Sequence, residues 1–228
     1  MIITIDGPAG GGKSTLSVML AKELCFFCLN SGYLYRGMAY VLQTYYGYDE
    51  QKLKEPLMTD MKACIDSGEL RYEYENGLAK IYFKDDITQF LKRIEVAKAA
   101  AILAQSPAAR QVIREYKRAL VLDKDTVIEG RVCGSVVFPQ ADVKFFVTAS
   151  SEVRAQRVLR QQAHRGVILS FDEALESVVS RDKTDMSRTF DPLVKPKGSI
   201  EIDTSDLSKE QMLQKALNHV KEALKSKV

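Results

Sequence analysis

The sequence has few of the features that mark membrane-embedded or secreted proteins. It contains no run of about 18 apolar residues, which excludes a membrane-spanning helix. Only four cysteines occur among 228 residues, a density too low for the disulfide framework of a small secreted domain. The first residues lack the basic start and apolar core of a signal peptide. We therefore expect a cytoplasmic protein without membrane contact.

The sequence also has little excess of one sign of charge over the other. The 33 basic residues nearly balance 30 acidic ones, for a net charge of +3, so the composition does not predict a nucleic-acid partner. The length fits one domain with insertions. Because no extra apolar helix calls for a partner, we expect a monomer.

Two of the cysteines, Cys25 and Cys28, form a C-x-x-C pair. A zinc site would need two further ligands nearby, and the only histidines, His164 and His219, are remote in sequence. A redox pair would follow a strand and enclose Gly or Pro, whereas this pair encloses two phenylalanines. We therefore interpret both cysteines as small apolar core residues.

Hydrophobic spacing predicts alternating strands and helices, which is typical of an α/β protein with a parallel sheet. Buried strands are predicted at 2–5, 126–129, 143–148 and 199–203, and helices at 14–24, 33–45, 94–122, 152–163, 171–185 and 208–225. The helix at 94–122 is expected to break near Ser106-Pro107, and the last helix to begin with a capping box from Ser208. Residues 70–83 instead alternate around Asn76-Gly77, which predicts an antiparallel hairpin within an insertion.

A glycine-rich loop joins the first predicted strand to the first predicted helix and satisfies G-x-x-x-x-G-K-S without a gap. Its residues are Gly7, Pro8, Ala9, Gly10, Gly11, Gly12, Lys13 and Ser14, followed by Thr15. Glycines let successive N–H groups form an anion nest, and the helix adds its positive N-terminal end. Lys13 supplies a charge for the β- and γ-phosphates, and the Ser14 hydroxyl suits Mg²⁺. The sequence therefore predicts ATP with Mg²⁺ as bound groups.

Three classes of enzyme use such a loop: kinases, GTPases and mechanical ATPases. The N-K-x-D segment with which GTPases read guanine is absent. Mechanical ATPases usually have larger chains and a strand ending in paired acids, whereas the strand at 126–129 ends in the single acid Glu129. The chain has the size of a small-molecule kinase.

Arginines are abundant at positions where βα loops should bring them together. They are Arg36, Arg110, Arg131, Arg154, Arg157, Arg160, Arg181 and Arg188. Guanidinium groups bind phosphate oxygens in bidentate fashion and keep their charge. Transfer of a phosphoryl group to another phosphate requires neutralisation of charge more than it requires a strong base. The arginines therefore favour a phosphate as the acceptor.

Four segments taken together resemble the bacterial cytidylate kinase family. Besides the phosphate loop, they are Asn30-Ser-Gly-Tyr-Leu-Tyr-Arg36, Glu129-Gly-Arg-Val-Cys-Gly-Ser-Val-Val-Phe-Pro139 and Arg181-Asp-Lys-Thr-Asp-Met-Ser-Arg188. The segments stand in the family's order and spacing, and the match runs from about residue 2 to residue 207. The resemblance implies phosphorylation of CMP or dCMP to CDP or dCDP, in pyrimidine nucleotide metabolism.

The resemblance also implies a P-loop NTPase fold with three α/β/α layers in a single domain, 1–228. Its core would comprise about 1–45, 108–151 and 167–228. An insertion that binds the monophosphate would cover about 46–107 and would contain the predicted hairpin. A short lid at about 152–166 would close over the phosphates and exclude water.

Residue roles follow from the matched positions. The resemblance implies that Ser31, Arg36 and Arg131 clamp the acceptor phosphate, and that Arg188 also binds it. Arg181 and Asp185 would hold the sugar hydroxyls, and Arg110 would read the base. In the lid, Arg157 and also Arg160 would neutralise the transferring phosphoryl group. The implied catalytic set is Lys13, Arg131, Arg157 and Arg188, with Glu129 reaching Mg²⁺ through water.

Four positions depart from the family pattern. Val132 and Ala101 stand where the family has Asp and Ser that contact cytosine, and neither can form those hydrogen bonds. Asn30 and Glu129 each stand where the family has Asp. A site that loses hydrogen bonds to the base loses discrimination, so a second hypothesis is a kinase with altered or relaxed acceptor specificity. A third is a nucleotide-binding regulator without turnover.

Overall fold

A computed structural model describes residues 1–164 and 166–225. Residue 165, which falls in the predicted lid, and residues 226–228, at the end of the predicted domain, lie outside the described residues. The chain divides into two compact units. The first comprises Met1–Phe26 with the described residues from Thr126 onward, and the second is Phe27–Asp125. The predicted insertion at 46–107 lies inside the second unit but is shorter than that unit. The insertion and the lid both stay predictions.

Strands and helices alternate along the described part of the chain. The strands are β1 (Ile2–Asp6), β2 (Phe27–Asn30), β3 (Leu70–Glu75), β4 (Leu78–Phe83), β5 (Asp85–Asp86), β6 (Thr126–Glu129), β7 (Val143–Thr148) and β8 (Ile200–Asp203). The α-helices are α1 (Lys13–Leu24), α2 (Ser31–Tyr46), α3 (Glu50–Lys54), α4 (Met58–Asp66), α5 (Ile94–Leu103), α6 (Pro107–Leu120), α7 (Ser151–Ala163), α8 (Phe171–Met186) and α9 (Lys209–Lys225). Short turns of 3₁₀ helix at Phe90–Lys92 and of π-helix at Cys133–Val137 complete them.

The first unit is built on parallel strands in the order β6-β1-β7-β8. In this register Ile3 pairs with Val127 on one side and with Val143 on the other. Ile3, Ile5 and Phe145 are fully buried, as the apolar runs of a parallel sheet covered on both faces require. The predicted α/β fold with a parallel sheet is confirmed.

The carboxyl ends of three of these strands carry the loops of greatest chemical interest. β1 leads into the glycine-rich loop, β6 ends at Glu129, and β7 ends at Thr148. The N–H of Gly130 donates to the carbonyl oxygen of Ile5 at 3.0 Å, so β6 leaves the sheet beside the end of β1. Ligands of open α/β sheets bind at this edge.

The predicted helices are present, with small shifts at their ends. The region 94–122 forms two helices, α5 and α6, and Ser106 caps α6 with Pro107 at its first position. The predicted capping box of α9 is also confirmed. The Ser208 N–H donates to Gln211 Oε1 at 2.9 Å, and the Gln211 N–H donates to Ser208 Oγ at 3.2 Å.

The interpretation of Cys25 as a core residue is wrong. Cys28 is buried, but Cys25 is exposed. Cys25 is the C-cap of α1 and adopts a left-handed backbone with φ 56°. It terminates the helix at the surface instead of packing inside.

The second unit contains the predicted hairpin, in which β3 and β4 are antiparallel and Glu75 pairs with Leu78. Asn76 and Gly77 both have positive φ, 53° and 79°, which is the geometry of a two-residue type I′ turn. In the part of the chain that the structure describes, no helix is long and apolar enough to cross a bilayer.

The hairpin turn gives a test of local stability. A Cβ at Gly77 would meet no atom within 4 Å, so a Gly77→Ala substitution costs only the left-handed backbone, about 1 kcal/mol of unfolding free energy. Gly77→Asn should lose less, because Asn tolerates that conformation. Urea unfolding of the three proteins measures the difference, and equal loss in both variants would contradict the type I′ geometry.

Candidate active site

The glycine-rich loop between β1 and α1 packs tightly against the end of β7. Gly7, Gly10 and Gly12 have φ values of 142°, 74° and 100°, a region that side chains with a Cβ avoid. A Cβ at Gly7 would lie 2.0 Å from the carbonyl oxygen of Val147, and a Cβ at Gly11 would lie 2.8 Å from it. Only glycine fits at these positions, so the loop keeps the narrow path that an anion nest needs.

The loop's carbonyl oxygens are held by side chains. Lys13 Nζ donates to the carbonyl of Pro8 at 2.5 Å, and Thr204 Oγ1 donates to that of Gly11 at 2.9 Å. From α7, Arg154 Nη1 reaches the carbonyl of Ala9 at 3.4 Å. Arg157 Nη1 reaches that of Gly10 at 3.2 Å. Four consecutive carbonyls thus have hydrogen-bond donors.

Lys13 is only 5% exposed. Burial, followed by the positive charge of Arg131, lowers the pKa of Lys13 to about 7, although Glu129 and Asp6 oppose the shift. An anion bound in the loop would favour the charged ammonium. Lys13 is therefore placed to gain charge as a phosphate arrives.

Ser14 and Glu129 are brought together at the start of α1. The Ser14 hydroxyl donates to Glu129 Oε1 at 2.6 Å, and Glu129 is buried at the end of β6. A hydroxyl and a carboxylate are the oxygen ligands that Mg²⁺ accepts, with phosphates and waters completing its shell. The two residues predicted to serve Mg²⁺ thus form one pair.

Asp185 is the centre of a cluster of three arginines. Arg131 Nε lies 2.9 Å from Asp185 Oδ2, Arg188 Nη2 lies 3.2 Å from Oδ1, and Arg181 Nε lies 3.9 Å from Oδ2. Burial alone would raise the pKa of Asp185, but the charge and hydrogen bond of Arg131, aided by Arg181 and Arg188, hold it below its usual value. One carboxylate therefore aligns three cations.

Sequence reasoning missed three polar side chains of the first unit. Asp6 is fully buried and accepts hydrogen bonds from the N–H groups of Cys133 at 2.7 Å and Gly134 at 2.6 Å. Thr204 holds the loop, and Asp182 pairs with Arg154. The position of Asp6 directly before the glycine motif was the one sequence signal that could have identified it. The partners of Asp182 and Thr204 are remote in sequence.

Three predicted site residues belong to the second unit. Ser31 is buried at the first position of α2. Arg36 Nη1 donates to the carbonyl of Leu91 at 3.3 Å, and Arg110, buried on α6, donates to that of Ala104 at 3.1 Å. Asn30 Oδ1 accepts from the Tyr33 N–H at 3.1 Å and so caps α2, a role that Asp fills equally well.

The glycine-rich loop, its lysine and the parallel sheet define a nucleotide-binding protein of the P-loop kinase class. Within that class the cytidylate kinase model matches residues 3–222. The chain belongs to the cytidylate kinase family, as the resemblance predicted, and this family consists of phosphotransferases.

Individual relatives agree over nearly their full length. The cytidylate kinase of Chlamydia caviae is 40% identical over 220 residues, which cover 95% of this chain and 96% of that protein. That of Halalkalibacterium halodurans is 32% identical over 224 residues, covering 97% and 98%. An uncharacterized protein from Eubacterium ventriosum has a solved structure with a TM-score of 0.52 at 13% identity, covering 97% of this chain and 98% of that chain. This last likeness supports the fold alone.

Proposed function

We propose that the protein transfers the γ-phosphoryl group of ATP to a nucleoside monophosphate, with CMP and dCMP as acceptors. The observation that carries the proposal is the buried Lys13 beside the Ser14–Glu129 pair, in a glycine loop that has four carbonyl groups held by side-chain donors. The names of the relatives support the choice of acceptor.

In this proposal the loop residues 7–15 bind the phosphates of ATP. Mg²⁺ would be held by the Ser14 hydroxyl, with Glu129 acting through a water, and would neutralise part of the phosphate charge. Lys13 would stabilise the charge on the transferring group. No side chain needs to act as a general base, because the acceptor oxygen already belongs to an anionic phosphate.

The arginines would neutralise the acceptor side of the reaction. We assign Arg131 and Arg188 to the acceptor phosphate and Arg181 with Asp185 to the sugar, following the family pattern. Their grouping around one carboxylate supports this assignment. Arg157 and Arg160 are assigned to the lid, in which they would approach the transferring phosphoryl group.

Following the family pattern, we assign Ser31 and Arg36 to the acceptor phosphate and Arg110 to the base. All three lie on α2 or α6, in the half of the chain that contains the predicted monophosphate-binding insertion. Helices hold such groups with more precision than loops do.

Val132 favours a second candidate, a kinase of the same fold with altered or relaxed acceptor specificity. Val132 is only 6% exposed and, like Ala101, cannot accept or donate a side-chain hydrogen bond. A panel of CMP, dCMP, UMP, AMP and GMP, assayed for ADP formation, separates the candidates. CMP and dCMP should be the preferred acceptors. Comparable rates with all five would establish relaxed specificity, and no ADP with any acceptor would establish a regulator without turnover.

The pKa of Lys13 predicts proton uptake when nucleotide binds. Lys13 is partly neutral above pH 7, given its pKa of about 7, and bound phosphates restore its charge. The affinity for Mg-ATP should therefore be level below that pKa and fall above it, by up to about tenfold per pH unit. Calorimetry at about pH 8 in two buffers of different ionisation enthalpy should show uptake of nearly one proton. Lys13→Arg, which is always charged, should abolish the uptake. An identical uptake in that variant would contradict the assignment.

A further inference from the structure

The bracing of the phosphate loop comes from outside the loop as well as from Lys13. A trans peptide is planar, so its C=O and N–H point in opposite directions. Holding the carbonyl of Ala9 therefore directs the N–H of Gly10 the other way, and holding the carbonyl of Gly10 does the same for Gly11. Each side-chain donor on an outer carbonyl fixes one N–H of the nest on the opposite side.

Glycine makes this bracing necessary. A residue without a Cβ visits positive and negative φ at similar cost, and Gly10 has a φ of 74°. The Ala9–Gly10 peptide can rotate about its flanking bonds and would then present a carbonyl oxygen to the bound anion. A donor that stabilises only one orientation removes the competing state before the nucleotide binds.

Arg154 is such a donor, and it is anchored on three sides. Its Nε donates to the carbonyl of Ala149 at 2.9 Å, and its Nη1 contacts both the carbonyl of Ala9 at 3.4 Å and the carboxylate of Asp182. Its side chain is only 9% exposed. The planar fork of arginine can satisfy acceptors in fixed directions at once, which a lysine cannot.

Asp182 supports this interpretation through its own incomplete bonding. Its side chain is 14% exposed, and Oδ1 has no hydrogen-bond partner among the residues that the structure describes. A half-satisfied buried carboxylate is unfavourable for stability alone. The contact between Asp182 and Arg154 links α8 to α7 and fixes the guanidinium group against the loop.

We propose that Arg154, held by Asp182, is a positioning residue that presets the phosphate-binding loop by fixing the Ala9–Gly10 peptide. The inference rests on the proposed function, since it names a determinant of ATP binding at the same site. Arg154 does not touch the reacting atoms in this account. It acts through the loop backbone, at the carbonyl of Ala9.

The test compares Arg154→Ala, Arg154→Lys and Asp182→Asn with the unaltered protein. Calorimetry with Mg-ATP and with inorganic tripolyphosphate measures the affinity of the loop, and steady-state kinetics with CMP separates the two KM values. Arg154→Ala should weaken both ligands about tenfold, because a charge-assisted contact is lost and the loop must be ordered on binding. The affinities of Arg154→Lys and Asp182→Asn should lie between those of the unaltered protein and Arg154→Ala. The KM for CMP should change less than about twofold.

Thermal unfolding of each variant separates positioning from a purely structural role. Gln156→Ala, at an exposed position of the same helix, is the control and should leave both affinities unchanged. Wild-type affinity in folded variants with lowered melting temperatures would overturn the proposal, as would equal rises in both KM values. If Arg154→Ala does not fold, the two conservative variants decide by the same criteria. Failure of the proposed function would appear differently, as unaltered protein that binds Mg-ATP without phosphorylating any monophosphate.

Discussion

Replacing Lys13 with alanine is expected to reduce kcat by about 10³-fold or more, the largest effect that we predict for any single substitution. Lys13 is the buried cation of the phosphate loop, and its ammonium also donates to the carbonyl of Pro8. Alanine removes the positive charge that would stabilise the transferring group. It also removes one of the four hydrogen-bond donors that hold the carbonyls of the loop. The loss should therefore appear in kcat and in ATP affinity together.

The measurement is ADP formation with CMP at saturating ATP, at a temperature where both proteins are folded. Lys22→Ala is the matched control, because Lys22 lies exposed in the last turn of the same helix and should leave the rate unchanged. A Lys13→Ala protein that keeps a tenth of the wild-type rate would refute the catalytic role of Lys13.

The second large effect is expected at Asp185. An Asp185→Asn substitution removes the negative charge that contacts Arg131, Arg181 and Arg188. The three cations would then repel one another and lose their alignment. We expect kcat/KM for the monophosphate to fall about 10²-fold and the free energy of unfolding to fall by about 3 kcal/mol.

Asp172→Asn provides the control, since Asp172 is exposed at the start of the same helix. Urea unfolding gives the free energy of unfolding of each variant. Steady-state kinetics at low temperature and without denaturant give the effect on kcat/KM for the acceptor. If Asp185→Asn lowered stability while kcat/KM for CMP stayed within about twofold of wild type, the cluster would be structural and its assignment to the acceptor would be wrong.

Local chemistry allowed much of the fold to be predicted from the sequence. Strands β1 and β6 are short, mostly apolar runs that are buried on both faces, and β7 alternates buried with half-buried residues. Such short runs, bounded by turn residues, are typical of strands. The hairpin at Asn76-Gly77 followed from the turn residues alone.

Other elements were missed because their signals are weak or non-local. Strand β2 is only four residues long and mixes Phe, Cys, Leu and Asn, so no alternation is visible. Helix α3 has five residues, too few for a periodic pattern. The exposure of Cys25 depends on where α1 ends, which its sequence does not mark with glycine.

Candidate residues of the site could be named from the sequence, but their contacts could not. The loop motif located Lys13 and Ser14, and the family pattern located the arginines. The pairing of Arg154 with Asp182 and the bonding of Thr204 to the loop join residues that are 28 and 193 positions apart. Only the folded chain brings such partners together.

The central claim is that this protein moves a phosphoryl group from ATP to CMP. The most direct measurement follows both products when the protein is incubated with ATP, Mg²⁺ and CMP. We expect CDP and ADP to form in equal amounts, and ADP formation nearly to cease when CMP is omitted. ADP released at the same rate without CMP, or no CDP at all, would contradict it.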